Sequence, residues 1–172
     1  MPTCQRAFGQ GRLTEQGFTG WVPWSDHRTA FNAVPLEAGG VYVVVRADAE
    51  PPTFLEQSAG GHFKGEDPTV PLTALTANWV DQASVVYIGK ADHGRLRERL
   101  KEYASFGRGN RIGHQGGRLI WQLADSQDLL VAWKVLPLDI VPLDEERRLI
   151  GEFRAAYERK PPFANDPDEL GR

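Results

Sequence analysis

The stretch Val85–Leu100, VVYIGKADHGRLRERL, joins two kinds of order. Val85 to Ile88 is a continuous β-branched and aromatic run, the composition of a buried strand. The run ends at Gly89, where a missing Cβ lets a backbone or a ligand come close. Past Gly94 the period turns helical: Leu96, Leu100 and Tyr103 recur at i, i+4 and i+7 as one apolar stripe. Cations crowd this region: Lys90, Arg95, Arg97, Arg99, Lys101, Arg108, Arg111 and Arg118 stand against Asp92, Glu98 and Glu102. Taken alone, such a run reads most simply as a solvated helix face followed by a basic loop. The function turns on why a strand should end in a tyrosine and a glycine and pass straight into a cationic helix.

Outward from this stretch, GGVYVVVRA at 39–47 predicts a second buried strand over Val41–Val45, entered by a Gly39-Gly40 turn. Between the two strands lies a connection rich in proline, glycine and acids, with LTALTANWV at 72–80 as a short helix. On the other side, SFGRGNRIGHQGG reads as a glycine-rich basic loop. RLIWQLA at 118–124 then predicts a strand, DSQD a turn and LLVAWKVL at 129–136 another strand, the pair forming a hairpin. A last helix begins near Pro142, with Asp144, Glu145 and Glu146 at the positive end of its dipole. Its apolar stripe is Leu149, Ile150, Phe153 and Tyr157, and Pro161-Pro162 stops it. Residues 1–35 carry Phe18, Trp21, Trp24 and Phe31 without a regular period and are expected to pack on the domain.

The chain has 172 residues, 41% apolar and 25% charged, which fits one globular domain with a real core. Its single cysteine, Cys4, excludes an internal disulfide and suits a reducing compartment. The N-terminal residues lack the apolar core of a secretory signal, and no apolar stretch is long enough to span a bilayer. A cytoplasmic protein without a membrane partner is expected. The net charge of −3 argues against a non-specific nucleic-acid binder, which would be basic overall, but the cations are concentrated in one place.

Several residues could carry chemistry. At about 100° per residue, Glu146 falls near the centre of the last helix's apolar stripe. A carboxylate facing a core needs a cation, a metal or hydrogen-bond donors. A frayed first-turn acid is an equally good reading. Arg99 borders the stripe of Leu96, Leu100 and Tyr103, and by itself reads as a surface arginine. His27, His62, His93 and His114 have no metal-ligand spacing to each other or to Cys4, although His114 in the basic loop could touch a phosphate. Tyr42 and Tyr87 would come together at one edge of a sheet if their strands pair.

Together these residues resemble the GIY-YIG nuclease family. Gly40-Val41-Tyr42 stands for its first motif, and Tyr87-Ile88-Gly89 followed by Lys90-Ala91 for its second. Leu96 and Arg99 match the family's helix arginine pattern, with Arg97 a weaker register. Glu146, Leu149 and Ile150 match its glutamate helix, and Asn165 in PPFAN its closing asparagine. GGRLIWQL and LLVAWKVL are similar to a subgroup of stand-alone members. The resemblance covers residues 36–166, with 46–83 inserted where the family has a tight hairpin and 167–172 left as a tail.

The resemblance implies an α+β fold, a small antiparallel sheet of three core strands flanked by helices, here with an extra hairpin and insert. It implies a metal-dependent endonuclease, a hydrolase acting on phosphodiester bonds, with DNA ahead of RNA as substrate. One Mg²⁺ or Mn²⁺ would sit on Glu146, since a single carboxylate plus waters suits Mg²⁺. Arg99 would fork onto the scissile phosphate. Tyr42 would be the base, with Tyr87 as partner or alternative, its pKa lowered by Lys90 and the metal. Asn165 would orient groups around the site. Gly89, Lys90, Arg95, Arg97, His114 and Arg118 would line the path of the nucleic acid. A protein partner could choose the target. The alternative is a non-catalytic nucleic-acid-binding or interaction module on the same fold.

Overall fold

The computed structural model describes residues 8–62, 64–112 and 116–165, so Cys4, His114 and the 167–172 tail fall outside it. Its strands are β1 (Thr19–Pro23), β2 (Gly40–Val45), β3 (Val85–Ala91) and β4 (Leu130–Val135). They form one antiparallel sheet in the order β1-β4-β2-β3. The helices are α1 (Gln10–Glu15), α2 (His27–Phe31), α3 (Leu72–Asn78), α4 (Leu96–Gly107) and α5 (Pro142–Ala156).

β2 is buried along its whole length because it has a strand on either side and a layer on either face. That is why its sequence is a run of apolar residues rather than an alternation. Val41, Val43 and Val45 meet Leu149, Ile150 and Phe153 of α5, together with Leu13 and Phe18. Tyr42 and Val44 meet Leu96, Leu100 and Tyr103 of α4, together with Trp24 and Trp121. Full burial of each such leucine is worth about 1.5–3 kcal/mol. The register slips between Val44 and Val45, so Val86 is an extra residue in β3. Tyr87, Gly89 and Ala91 share the face of Tyr42 through the Tyr42–Gly89 pairing, and the bulge turns Val86 to that face as well.

The α+β class, the paired motif strands and the helices at 72, 96 and 142 agree with the sequence reading. The 118–136 hairpin does not form. Arg118–Gln122 is a 3₁₀ helix, and Ser126–Asp128 is a second one. Leu119, Ile120, Trp121 and Gln122 are buried consecutively, which no half-buried strand allows. The insertion encloses them: Leu55 and Ala59 donate backbone hydrogen bonds to the carbonyls of Gln122 and Trp121. The Gln122 amide donates to the carbonyls of Leu55 and Val70 and accepts from the Val70 N–H. β4 pairs with β2 and β1 instead, so the segment before residue 35 supplies a fourth strand.

That N-terminal segment is fastened to α4. The Arg97 guanidinium donates to the carbonyls of Val34 (2.6 Å) and Asn32 (2.8 Å), at the end of α2. Buried His27 donates from Nδ1 to the Trp24 carbonyl at 2.5 Å and accepts at Nε2 from Arg108 at 2.6 Å. The Arg108 contact needs the neutral ring, because a protonated Nε2 cannot accept. Burial lowers the His27 pKa below 6.5, with Arg108 and Arg28 acting the same way against the Trp24 carbonyl and Asp26. The unfolded chain therefore takes up a proton first, and His27 withdraws stability as pH falls through 6.5. Urea denaturation at about pH 7.5 and 5.5 will show a larger loss of stability in the wild type than in His27→Gln. An equal loss in both would remove His27 as the cause.

Candidate functional site

Tyr42 and Gly89 are direct cross-strand partners. A Cβ on Gly89 would lie 2.5 Å from Cζ and 2.7 Å from the hydroxyl of Tyr42. The space over Gly89 is thus filled by the Tyr42 ring, not left open to a substrate backbone. Tyr87 is one step along the same face, its ring centroid 6.0 Å from that of Tyr42. Tyr103 of α4 closes a triangle, 6.1 Å from Tyr42 and 5.6 Å from Tyr87.

Arg99 enters this cluster from α4. It acts on the Tyr42 hydroxyl, and so does Tyr87. Arg99 lies 3.6 Å from the Glu102 carboxylate, and its side chain is one-third exposed. Burial disfavours its charge, but Tyr42, Tyr87 and Glu102 outweigh this and raise its pKa. Tyr42 is fully buried, and desolvation pushes its pKa up to about 12. Arg99 and the Tyr87 hydroxyl pull it down, while the negative charge of Glu146 pushes it up. Tyr42 is therefore a neutral phenol at neutral pH, and Glu146 acts electrostatically on it.

Glu146 is half-buried in the first turns of α5. Its neighbour Glu145 is engaged elsewhere, by Arg148 (3.0 Å) and Lys134 (3.5 Å). Those contacts, Arg148 first, lower the Glu145 pKa. Among the described residues, no group of three His, Cys, Asp or Glu side chains could hold a metal. A divalent cation at Glu146 would therefore have at most two such side chains among the described residues and complete its shell with water, a donor set that fits Mg²⁺.

The other predicted residues have definite places. Asn165 is buried and forms two bonds with the outer edge of β3: its Oδ1 accepts from the Ile88 N–H (3.0 Å), and its Nδ2 donates to the Ile88 carbonyl (2.8 Å). Lys90 pairs with Asp92 at 2.9 Å and is not among the groups that shift Tyr42. Arg95 pairs with Glu98 and Glu102 of its own helix. Arg97 holds the α2 carbonyls described above. Arg118 is half-exposed just after Gly116-Gly117. That dipeptide lies against the tyrosines: a Cβ on Gly116 would be 2.7 Å from the Tyr87 hydroxyl, and the Gly117 carbonyl accepts from Tyr103 at 2.6 Å. Tyr103 and the two glycines were not singled out from sequence. The usable signal was spacing, since Tyr103 follows Arg99 by one helical turn. A cleft of about 340 Å³ lies elsewhere, at the neck of the insertion, lined by Arg46, Trp79 and Asp81 among others.

Compared with family models, curated proteins and solved structures, the chain matches none.

Two predictions test this geometry. Gly89→Ala will cost about 1–3 kcal/mol in urea denaturation, as overpacking does, and less in a Tyr42→Leu background. A cost that is unchanged by removing the ring would refute the contact. In alkaline titration, Tyr42 will ionise at about 12 against the ordinary 10.0, as a phenolate band that Tyr42→Phe abolishes. The raised pKa contributes stability below 10 that is lost as pH climbs toward 12.

Proposed function

We propose that this protein is a metal-dependent endonuclease of the GIY-YIG type, hydrolysing phosphodiester bonds in nucleic acid, with DNA ahead of RNA. One observation carries the reading. Tyr42 of β2 packs on Tyr87 of β3, Arg99 of α4 and Tyr87 lower its pKa, and the charge of Glu146 of α5 raises it. Three residues distant in sequence act on one phenol, and all four are of the types that phosphodiester hydrolysis uses.

Arg99 receives the scissile phosphate. Its inner side is fixed by Tyr42 and Glu102, and its exposed part offers fork geometry and a charge that persists at any physiological pH. Tyr42 is 1% exposed with a pKa near 12, so it serves as a neutral group that positions Arg99 and Tyr87. The water-activating role expected first of Tyr42 passes to Tyr87, the less buried of the pair. Glu146 would hold Mg²⁺ or Mn²⁺, which when bound polarises the phosphate and neutralises the leaving oxygen. Asn165 keeps the edge of β3 in register behind Tyr87 and Gly89. Arg108, Arg111 and Arg118 supply cations to the backbone beyond the site.

Labelled duplex, flap and single-stranded DNAs, and RNA, are incubated with Mg²⁺ or Mn²⁺ at low salt. The wild type is expected to cut at least one substrate, and Glu146→Ala to lose on the order of 100-fold or more in rate while keeping nucleic-acid affinity. Arg99→Lys will lose a similar factor, because a point charge cannot fork. Binding without metal-dependent cutting in the wild type would favour the non-catalytic module instead.

A further inference from the structure

Many cations of this protein are neutralised where they lie. Arg46 pairs with Asp125, Lys90 with Asp92, Arg95 with Glu98 and Glu102, and Lys134 and Arg148 with Glu145. The seam between α2 and α4 is different. Arg97 donates to two backbone carbonyls. Lys101 donates to the Asn32 side-chain oxygen at 3.0 Å. Arg108 donates to the neutral ring of His27. At about 100° per residue, positions 97, 101 and 108 fall on one face of the helix. Among the described residues, none of the three has a carboxylate within ion-pair distance.

An uncharged acceptor fixes the direction of a cation without cancelling its charge. The need to cap the end of α2 explains Arg97. It does not explain why Lys101 and Arg108 also end on uncharged partners. Exposed Arg28 of α2 adds to the same field, since it and Arg108 both disfavour the protonated form of His27, against the single acid Asp26. The seam is therefore a strip of oriented, uncompensated positive charge within an acidic chain. It lies about half a turn around α4 from Arg99.

We propose that this seam is a second nucleic-acid surface, which takes the sugar–phosphate backbone away from the cleavage site, with His27 and Asn32 as positioning residues. This rests on the nuclease reading. Uncompensated, pre-oriented cations suit a polyanion, because each phosphate contact releases condensed counterions. A strand crossing from Arg99 to the seam would pass around α4, a helix about 10 Å across.

The test is anisotropy of a labelled DNA duplex in EDTA, measured against salt concentration. Arg28→Gln, Lys101→Gln and Arg108→Gln should each reduce the log–log salt slope by about 0.9. His27→Ala should mimic Arg108→Gln, and His27→Gln, which keeps an acceptor for Arg108, should restore the slope. Arg147→Gln and Arg154→Gln on α5 should leave it unchanged. If the wild type binds and the seam variants keep its slope, the inference fails while the nuclease reading stands. If the α5 variants lower the slope as much, binding is diffuse and the inference also fails. If the wild type does not bind, the inference falls with it, and the comparison of wild type with Glu146→Ala in the cleavage assay judges the nuclease reading separately.

Discussion

The lodging of the Tyr42 ring over Gly89 is the constraint on which the rest of the site depends. It requires β2 and β3 to pair in one register, because a slip of one residue would send Tyr42 to the face covered by α5. It requires glycine at the facing position, because a methyl group there would enter the ring. It also seals the tyrosine from water, and this desolvation produces the pKa near 12. From that one contact follow the neutral state of Tyr42 and its distinction from Tyr87 in the proposed chemistry.

The site is assembled from elements that have other reasons to be where they are. α4 lies on the Tyr42 face because Leu96, Leu100 and Tyr103 bury there, and Arg99 borders that stripe. α5 lies on the opposite face through Leu149, Ile150 and Phe153, yet its first turns bring Glu146 into electrostatic range of Tyr42. A first-turn acid and a core-facing acid were equal readings of Glu146 from periodicity. The structure puts Asp144 and Glu145 in the first turn and Glu146 just beyond it, half-buried and acting on a buried group.

What was legible followed from local rules. The runs at Val41–Val45 and Val85–Ile88, the proline opening α5 and the stripe of α4 each specify an element without reference to the rest of the chain. The segment at 118–124 failed because its apolar run is buried between the insertion and the core on the Tyr42 face of the sheet without pairing as a strand. A short run enclosed on all sides looks the same from sequence whether it is strand or 3₁₀ helix. β1 was hidden for a related reason: Gly20 has φ +107, Trp21 has φ +57, and the pairing with β4 is interrupted there, so no alternation survives. Partners of long side chains were equally out of reach. Spacing placed Arg97 on α4, but nothing local could say that it would end on the carbonyls of Asn32 and Val34.

The insertion between the motif strands shows why the register can survive a connection of nearly forty residues. Lengthening a two-residue hairpin loop to this size is about four doublings, or about 2.5 kcal/mol of closure entropy. The neck meets that cost locally. The Arg46 N–H donates to the Ser84 carbonyl at 2.8 Å, immediately beyond the last strand pair. The Arg46 side chain is buried, bonded to Asp125 at 2.8 Å and to the carbonyls of Asp48 and Glu50, with its guanidinium over Trp79. Farther out, Phe54 stacks on Phe163, two residues before the asparagine that clamps Ile88. The insertion is therefore tied to β3 at two places: its neck holds the start, and its aromatic contact supports the segment that holds the middle. Extra chain inserted between the two tyrosines reinforces the strand that carries one of them, so a long insertion and a fixed Tyr42–Gly89 pair are mechanically compatible.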